Sequence, residues 1–215
     1  MKSPVPLDRH EKKIKELEAY PVEADKVLLY GSSFFTNWGV ERATEQWSSA
    51  TNGALQIVNH GFGGATVSEL LHYYDRLVLD YKPCAIVFRT GINDVKHGLS
   101  ATQTKELTEE LFDRVQSDFP GIKMIAIKVF DTTAVTEEEM NELRRYNDML
   151  DTLTQKYETL YTVDLNPFFY KSTQDIGTRK NFRNVFVEDG LHLTDSGYEQ
   201  MADYLAPKVK DILFS

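Results

Sequence analysis

Short runs of apolar residues, rich in β-branched side chains, recur at residues 26–30, 55–59, 85–89, 123–129 and 160–164. Each is unbroken and short, which predicts a strand buried on both faces. Between these runs the apolar spacing changes to three and four. Val67, Leu70, Leu71, Tyr74 and Leu77 share one helical face, as do Leu107, Leu111, Val115 and Phe119. Met140, Leu143, Tyr146, Leu150 and Leu153 make a third stripe, and Tyr198, Met201, Leu205, Val209 and Ile212 a fourth. Ahead of the four stripes stand Thr66-x-x-Glu69, Ser100-x-x-Gln103, Thr136-x-x-Glu139 and Ser196-x-x-Glu199, each a capping-box pattern for a helix start. Strands alternating with helices imply parallel β-α-β crossovers, hence an α/β fold built as a three-layer α/β/α sandwich. In such a sheet, ligands bind beyond the carboxyl ends of the strands.

Composition narrows the picture. The 215 residues show no repeat or linker-like shift and read as one domain, 1–215, in which the charged residues 1–24 form a helical extension packed on the rest. Hydrophobic residues at 41% and charged residues at 27% describe an ordinary globular chain. No apolar run reaches the ~18 residues of a membrane span, and Met1 to Tyr20 has no apolar stretch of a secretory signal. With the single Cys84 these features point to the cytoplasm. A net charge of −9 argues against non-specific binding to nucleic acid or anionic membrane. His10, His60, His72 and His97 show no metal-ligand spacing and read as structural or surface residues, and Cys84 is expected to pack at the start of the third strand.

Candidate chemistry follows the strands. The first ends in Gly31-Ser32-Ser33, a turn that exposes a serine, although Ser32, Ser33 and Thr36 also suit simple capping. The second leads into Asn59-His60-Gly61-Phe62-Gly63-Gly64, whose glycines uncover backbone N–H groups or simply make a tight turn. The third ends in Gly91-Ile92-Asn93-Asp94, where Asn93 offers an uncharged N–H or closes an Asx turn. Before the last helix, Asp189-Gly190-Leu191-His192 places a carboxylate one turn from an imidazole, as an acid–base pair or a surface ion pair. Together the four segments supply a nucleophile, a backbone donor, a side-chain donor and an acid–base pair, which is the set acyl transfer requires.

On these residues the chain resembles the SGNH (GDSL-type) hydrolase family, in the branch similar to platelet-activating-factor acetylhydrolase. Residues 27–38, Val-Leu-Leu-Tyr-Gly-Ser-Ser-Phe-Phe-Thr-Asn-Trp, resemble its first block, with Ser33 in the nucleophile position. Gly64 matches the second block, Asn93 the third, and Asp189 with His192 the last. The resemblance implies a flavodoxin-like five-stranded parallel sheet of order 2-1-3-4-5. It also implies ester hydrolysis through an acyl-serine, without metal or other cofactor. The triad would be Ser33, His192 and Asp189, and the oxyanion hole the Ser33 and Gly64 N–H groups with the Asn93 amide. Two departures stand out: Ser32 replaces the aspartate of Gly-Asp-Ser, and Arg89 occupies a position where relatives often carry an uncharged residue.

The substrate expected is a small acyl ester, with short acyl groups preferred over the long chains of a lysophospholipase or thioesterase; homo-oligomerisation stays open. Arg89, Lys128 and Phe34 are candidate substrate contacts, although for Arg89 and Lys128 a structural ion pair with Asp94 or Asp131 is the favoured reading. The segment 166–188 lacks periodicity and carries Phe168, Phe169, Tyr170, Phe182 and Phe186 beside Lys171, Arg179, Lys180 and Arg183. It reads as a lid over the site or as a cover for the core. A non-catalytic flavodoxin-like binding module is the remaining alternative, but it has no use for Asn93 or the Asp189–His192 pair.

Overall fold

A computed structural model describes residues 3–215; Met1 and Lys2, the start of the expected N-terminal extension, lie outside the described residues. The chain opens with α1 (Glu11–Glu18) and then β1 (Val27–Gly31), α2 (Ser33–Trp38), α3 (Val40–Ala50) and β2 (Ile57–Gly61). Next come α4 (Val67–His72), α5 (Tyr74–Leu77), β3 (Ala85–Arg89), α6 (Ile92–Lys96) and α7 (Ala101–Asp118). β4 (Lys123–Ile127), α8 (Glu137–Lys156), β5 (Leu160–Val163), α9 (Asn166–Phe169) and α10 (Asp195–Phe214) complete it. The five strands form one parallel sheet of order β2-β1-β3-β4-β5, as the resemblance implied.

Alternation along each strand divides the core in two. Leu28, Tyr30, Ile86, Phe88, Met124 and Ala126 face the layer that holds α1, α4, α5, α7 and α8. Val27, Leu29, Ala85, Val87, Ile125 and Ile127 face α2, α3, α9 and α10. Both faces of the central strands are therefore covered, which explains why these segments read as continuous apolar runs rather than as alternating ones. Ile14 and Leu17 bind α1 to the first layer, and Trp38 and Trp47 lie wholly inside the second.

Several local expectations shift. The stripe beginning at Val67 is two helices, with the break at Tyr73. The last helix starts two residues earlier than its Ser196 pattern suggests: Thr194 is the cap and accepts the Gly197 N–H. Cys84 is exposed instead of packed, because the core of β3 begins one residue later, at Ala85. α2 and α3 carry no clear stripe in the sequence, yet they bury Phe34, Phe35, Trp38, Ala43 and Trp47.

The segment 166–188 covers the core and is tied down along its length. Phe168 and Phe169 are buried, and Phe169 stacks on Phe186 at 4.9 Å between ring centroids. Short antiparallel bridges join Tyr170 to Phe182 and Phe186 to Leu193. The Tyr170 hydroxyl and the Gly177 N–H donate to Asp131, which also pairs with Arg144 at 2.9 Å. Arg179 donates to the Thr132 carbonyl at 2.8 Å and to Glu137. Its aromatics sit inside because the second face near β4 and β5 needs a cover, and Arg179 and Arg183 cap backbone carbonyls.

Candidate active site

β1 delivers Ser33 to the rim of the sheet. Gly31 ends the strand with its backbone pressed on β3: a Cβ there would lie 2.1 Å from the Arg89 carbonyl oxygen, so no larger residue fits. Ser33 is the first residue of α2, where helical N–H groups have no intrahelical partner. Neither the Ser33 nor the Gly64 N–H makes a hydrogen bond among the described residues. The turn after β2 lies alongside, since a Cβ on Gly63 would meet the Ser33 Cβ at 3.9 Å.

His192 reaches Ser33 from the turn ahead of α10. Gly190 has φ +67, and this left-handed residue folds the chain so that Asp189 reaches forward. Asp189 Oδ1 accepts the Leu191 and His192 N–H groups at 2.8 and 2.9 Å, and its Oδ2 lies 2.5 Å from His192 Nδ1. Burial pushes the Asp189 carboxyl up, but the donors from His192 and Leu191 outweigh it and hold it below its ordinary value. An ionised carboxylate only accepts, so Nδ1 carries the hydrogen. In the neutral ring Nε2 is then a bare acceptor, and it lies 2.8 Å from Ser33 Oγ. The triad that the sequence proposed is thus assembled in hydrogen-bonding contact.

Asn93, in α6, donates to the Ala65 carbonyl at 2.9 Å, which leaves its second amide hydrogen for another acceptor. That bond joins α6 to the turn carrying Gly64. A second link is made by Asp94, wholly buried, which accepts from the Val67 N–H at 2.9 Å and the Thr90 hydroxyl at 3.2 Å. Burial pushes its carboxyl up to about 6. The sequence did not reveal a further clamp from the N-terminal segment. Arg9 donates to the Gly64 carbonyl at 2.7 Å and to buried Glu69 at 2.5 and 2.8 Å. Glu69 was legible as a capping-box residue, and it does accept the Thr66 N–H at 3.0 Å. Nothing in the local pattern tells that its carboxylate also meets a residue 60 positions away.

Ser32, Ser33, Phe34, Arg89, Ile92, Asn93, Leu191 and His192 line one narrow cavity, about 10 Å³ for the centre of a water-sized sphere. Arg89 and Phe34 therefore stand at the site. The expected pairing of Arg89 with Asp94 or Asp131 does not form. Its guanidinium lies 4.6 Å from the centroids of both the Phe34 and the Phe130 rings, which are 6.2 Å apart and tilted 58° to each other, and Nε and Nη2 have no hydrogen-bond partner among the described residues. Desolvation lowers its pKa to about 10, so it is still a cation at neutral pH. Each desolvated ring returns about 2 kcal/mol, against a burial penalty of several kcal/mol for an unpaired ion. Lys128, by contrast, is not at this cavity. It pairs with Asp151 of α8, which turns its ammonium away from the rim, and neither Asp94 nor Asp131 is its partner. A wider groove of about 490 Å³ at the opposite end of the strands, beside Cys84 and Phe214, holds none of these groups.

A serine, an imidazole and a carboxylate in series, at the carboxyl edge of a parallel sheet, define a hydrolase-type site. The sequence profile of the GDSL-like lipase/acylhydrolase family matches residues 29–200, and the chain belongs to that family. Among curated proteins no sequence matches. Solved structures with the same fold include a Streptococcus pneumonia protein provisionally described as a platelet activating factor, 18% identical with TM-score 0.72, over 96% of this chain and 92% of that one. A GDSL-like lipase from Bacteroides thetaiotaomicron is 17% identical with TM-score 0.72, over 96% and 99%. A lipase/acylhydrolase from Enterococcus faecalis is 17% identical with TM-score 0.69, over 87% and 96%. No helix among the described residues is long and apolar enough to cross a membrane.

Proposed function

We propose that this acylhydrolase-family chain is a serine ester hydrolase acting on small esters through an acyl-serine intermediate. The observation that carries the reading is the relay in which Asp189 holds His192 Nδ1 at 2.5 Å while Nε2 meets Ser33 Oγ at 2.8 Å. In the first half-reaction Ser33 Oγ bonds to the ester carbonyl carbon and His192 Nε2 takes its proton. The resulting oxyanion is held by the Ser33 and Gly64 N–H groups and the free Asn93 amide hydrogen. His192 returns the proton to the departing alcohol as the ester C–O bond breaks. Water, deprotonated by the same nitrogen, then attacks the acyl-serine and releases the acid. The narrow cavity favours short acyl groups over long ones.

The test is hydrolysis of p-nitrophenyl esters from acetate to palmitate by wild type and Ser33→Ala, with fluorophosphonate labelling alongside. Turnover peaking at acetate or butyrate, abolished in Ser33→Ala, is the expected result. A peak at palmitate refutes the short-acyl reading. Absence of both turnover and labelling refutes the esterase itself.

A further inference from the structure

Arg89 is a cation with no counter-charge, placed beside the proposed nucleophile. It continues the Ala85–Val87 face of β3, packs against Phe34 of α2, and with Ser32, Phe34 and Ile92 lines the floor of the cavity that Ser33 and His192 open. The floor is shut: Ser32, Phe34, Arg89 and Ile92 are each at most 5% exposed. The Phe34 and Phe130 rings both pack against the guanidinium, while Nε and Nη2 stay unsatisfied. Nearly every polar group buried this deeply in a folded protein finds a partner, so two orphan donors on one cation at a reaction centre mark a place for an anion.

We propose that Arg89 binds a carboxylate at the far end of the acyl group, making the substrate a half-ester of a short dicarboxylic acid. This rests on the serine-esterase reading above. The closed floor assigns the anion to the acyl side. A group held there stays in place while the alcohol departs and water takes its position, and both exchanges need the solvent side of His192. A carboxylate suits the planar guanidinium edge, which offers two parallel N–H donors. The small cavity limits the linker between ester carbonyl and carboxylate to a few atoms.

The experiment compares p-nitrophenyl hemisuccinate with p-nitrophenyl butyrate, whose acyl groups have equal carbon counts, with Ser33→Ala as the blank for spontaneous cleavage. Wild type should favour hemisuccinate in kcat/KM by roughly tenfold to a hundredfold, and Arg89→Met should erase that preference, with Arg89→Lys restoring part of it. Should Arg89→Met fail to fold, inhibition of wild-type butyrate hydrolysis serves instead. Free succinate should compete at concentrations roughly tenfold below free butyrate. Equal handling of the two esters, a preference that survives Arg89→Met, or equal inhibition by succinate and butyrate overturns the proposal and leaves Arg89 a packing residue. Those outcomes keep Ser33-dependent butyrate turnover. Loss of all ester turnover and of fluorophosphonate labelling in wild type instead fells the esterase reading and this proposal with it.

Discussion

Replacing Asp94 by Asn should tilt the pH dependence of stability one way, and replacing His60 by Gln should tilt it the other. Both groups are sealed inside the fold, at 0% and 1% exposure. Burial pushes the Asp94 carboxyl from 3.8 up to about 6, and pushes the His60 imidazole, on the Leu77 carbonyl at 2.7 Å, from 6.5 down to about 4. Each displacement corresponds to about 3 kcal/mol between the folded and unfolded chains. For Asp94 the folded value is raised, so its contribution is complete below pH 3.8 and is lost as pH climbs through about 6. For His60 the folded value is depressed, so its contribution is complete above pH 6.5 and is lost as pH falls through about 4. The two slopes oppose each other over nearly the same window and almost cancel in the wild type. In Asp94→Asn the His60 slope is unmasked, and stability relative to wild type rises by about 2 kcal/mol from pH 4 to pH 6.5. His60→Gln shows the opposite trend of similar size. Urea unfolding followed by fluorescence of the buried Trp38 and Trp47 measures both, and subtracting the wild-type curve removes every other titrating group. A wild-type-minus-variant difference that stays flat with pH would refute the reasoning.

Two further outcomes concern the oxyanion side. Asn93→Ala should lower ester turnover by ~10²–10³ with the fold intact, because it removes one donor; unchanged kcat in a folded variant would withdraw that role from Asn93. Arg9→Met frees the Gly64 carbonyl and leaves Glu69 buried without its cation. It should reduce kcat roughly tenfold with little change in KM, with Arg9→Lys recovering part of the loss, and a KM effect alone would speak against positioning of the turn.

The fold was legible because its signals are local. Unbroken apolar runs such as 85–89 need only their own composition to announce a strand covered on both faces, and Ser100, Thr136 and Thr66 mark helix starts within four residues of sequence. The four chemical segments could be read the same way, since each role lies in a single turn next to a strand or helix end. Signals failed where the partner was distant or shape took over. α2 and α3 bury their aromatics without a clear stripe, and Thr194 rather than Ser196 caps the last helix.

Sequence by itself determined which chemically capable residues follow the strand ends and in what order they meet the rim of the sheet. Periodicity and turn chemistry are written in neighbouring residues, and a strand–helix alternation leaves little choice of topology. Tertiary structure alone decided the fate of the charges. Arg89 and Lys128 look alike in sequence, each at the end of a strand. Lys128 finds Asp151 on α8, whereas Arg89 packs against two rings and pairs with no carboxylate among the described residues. Electrostatic pairing depends on distances of a few ångströms between segments far apart in the chain, and only the packed fold sets those distances.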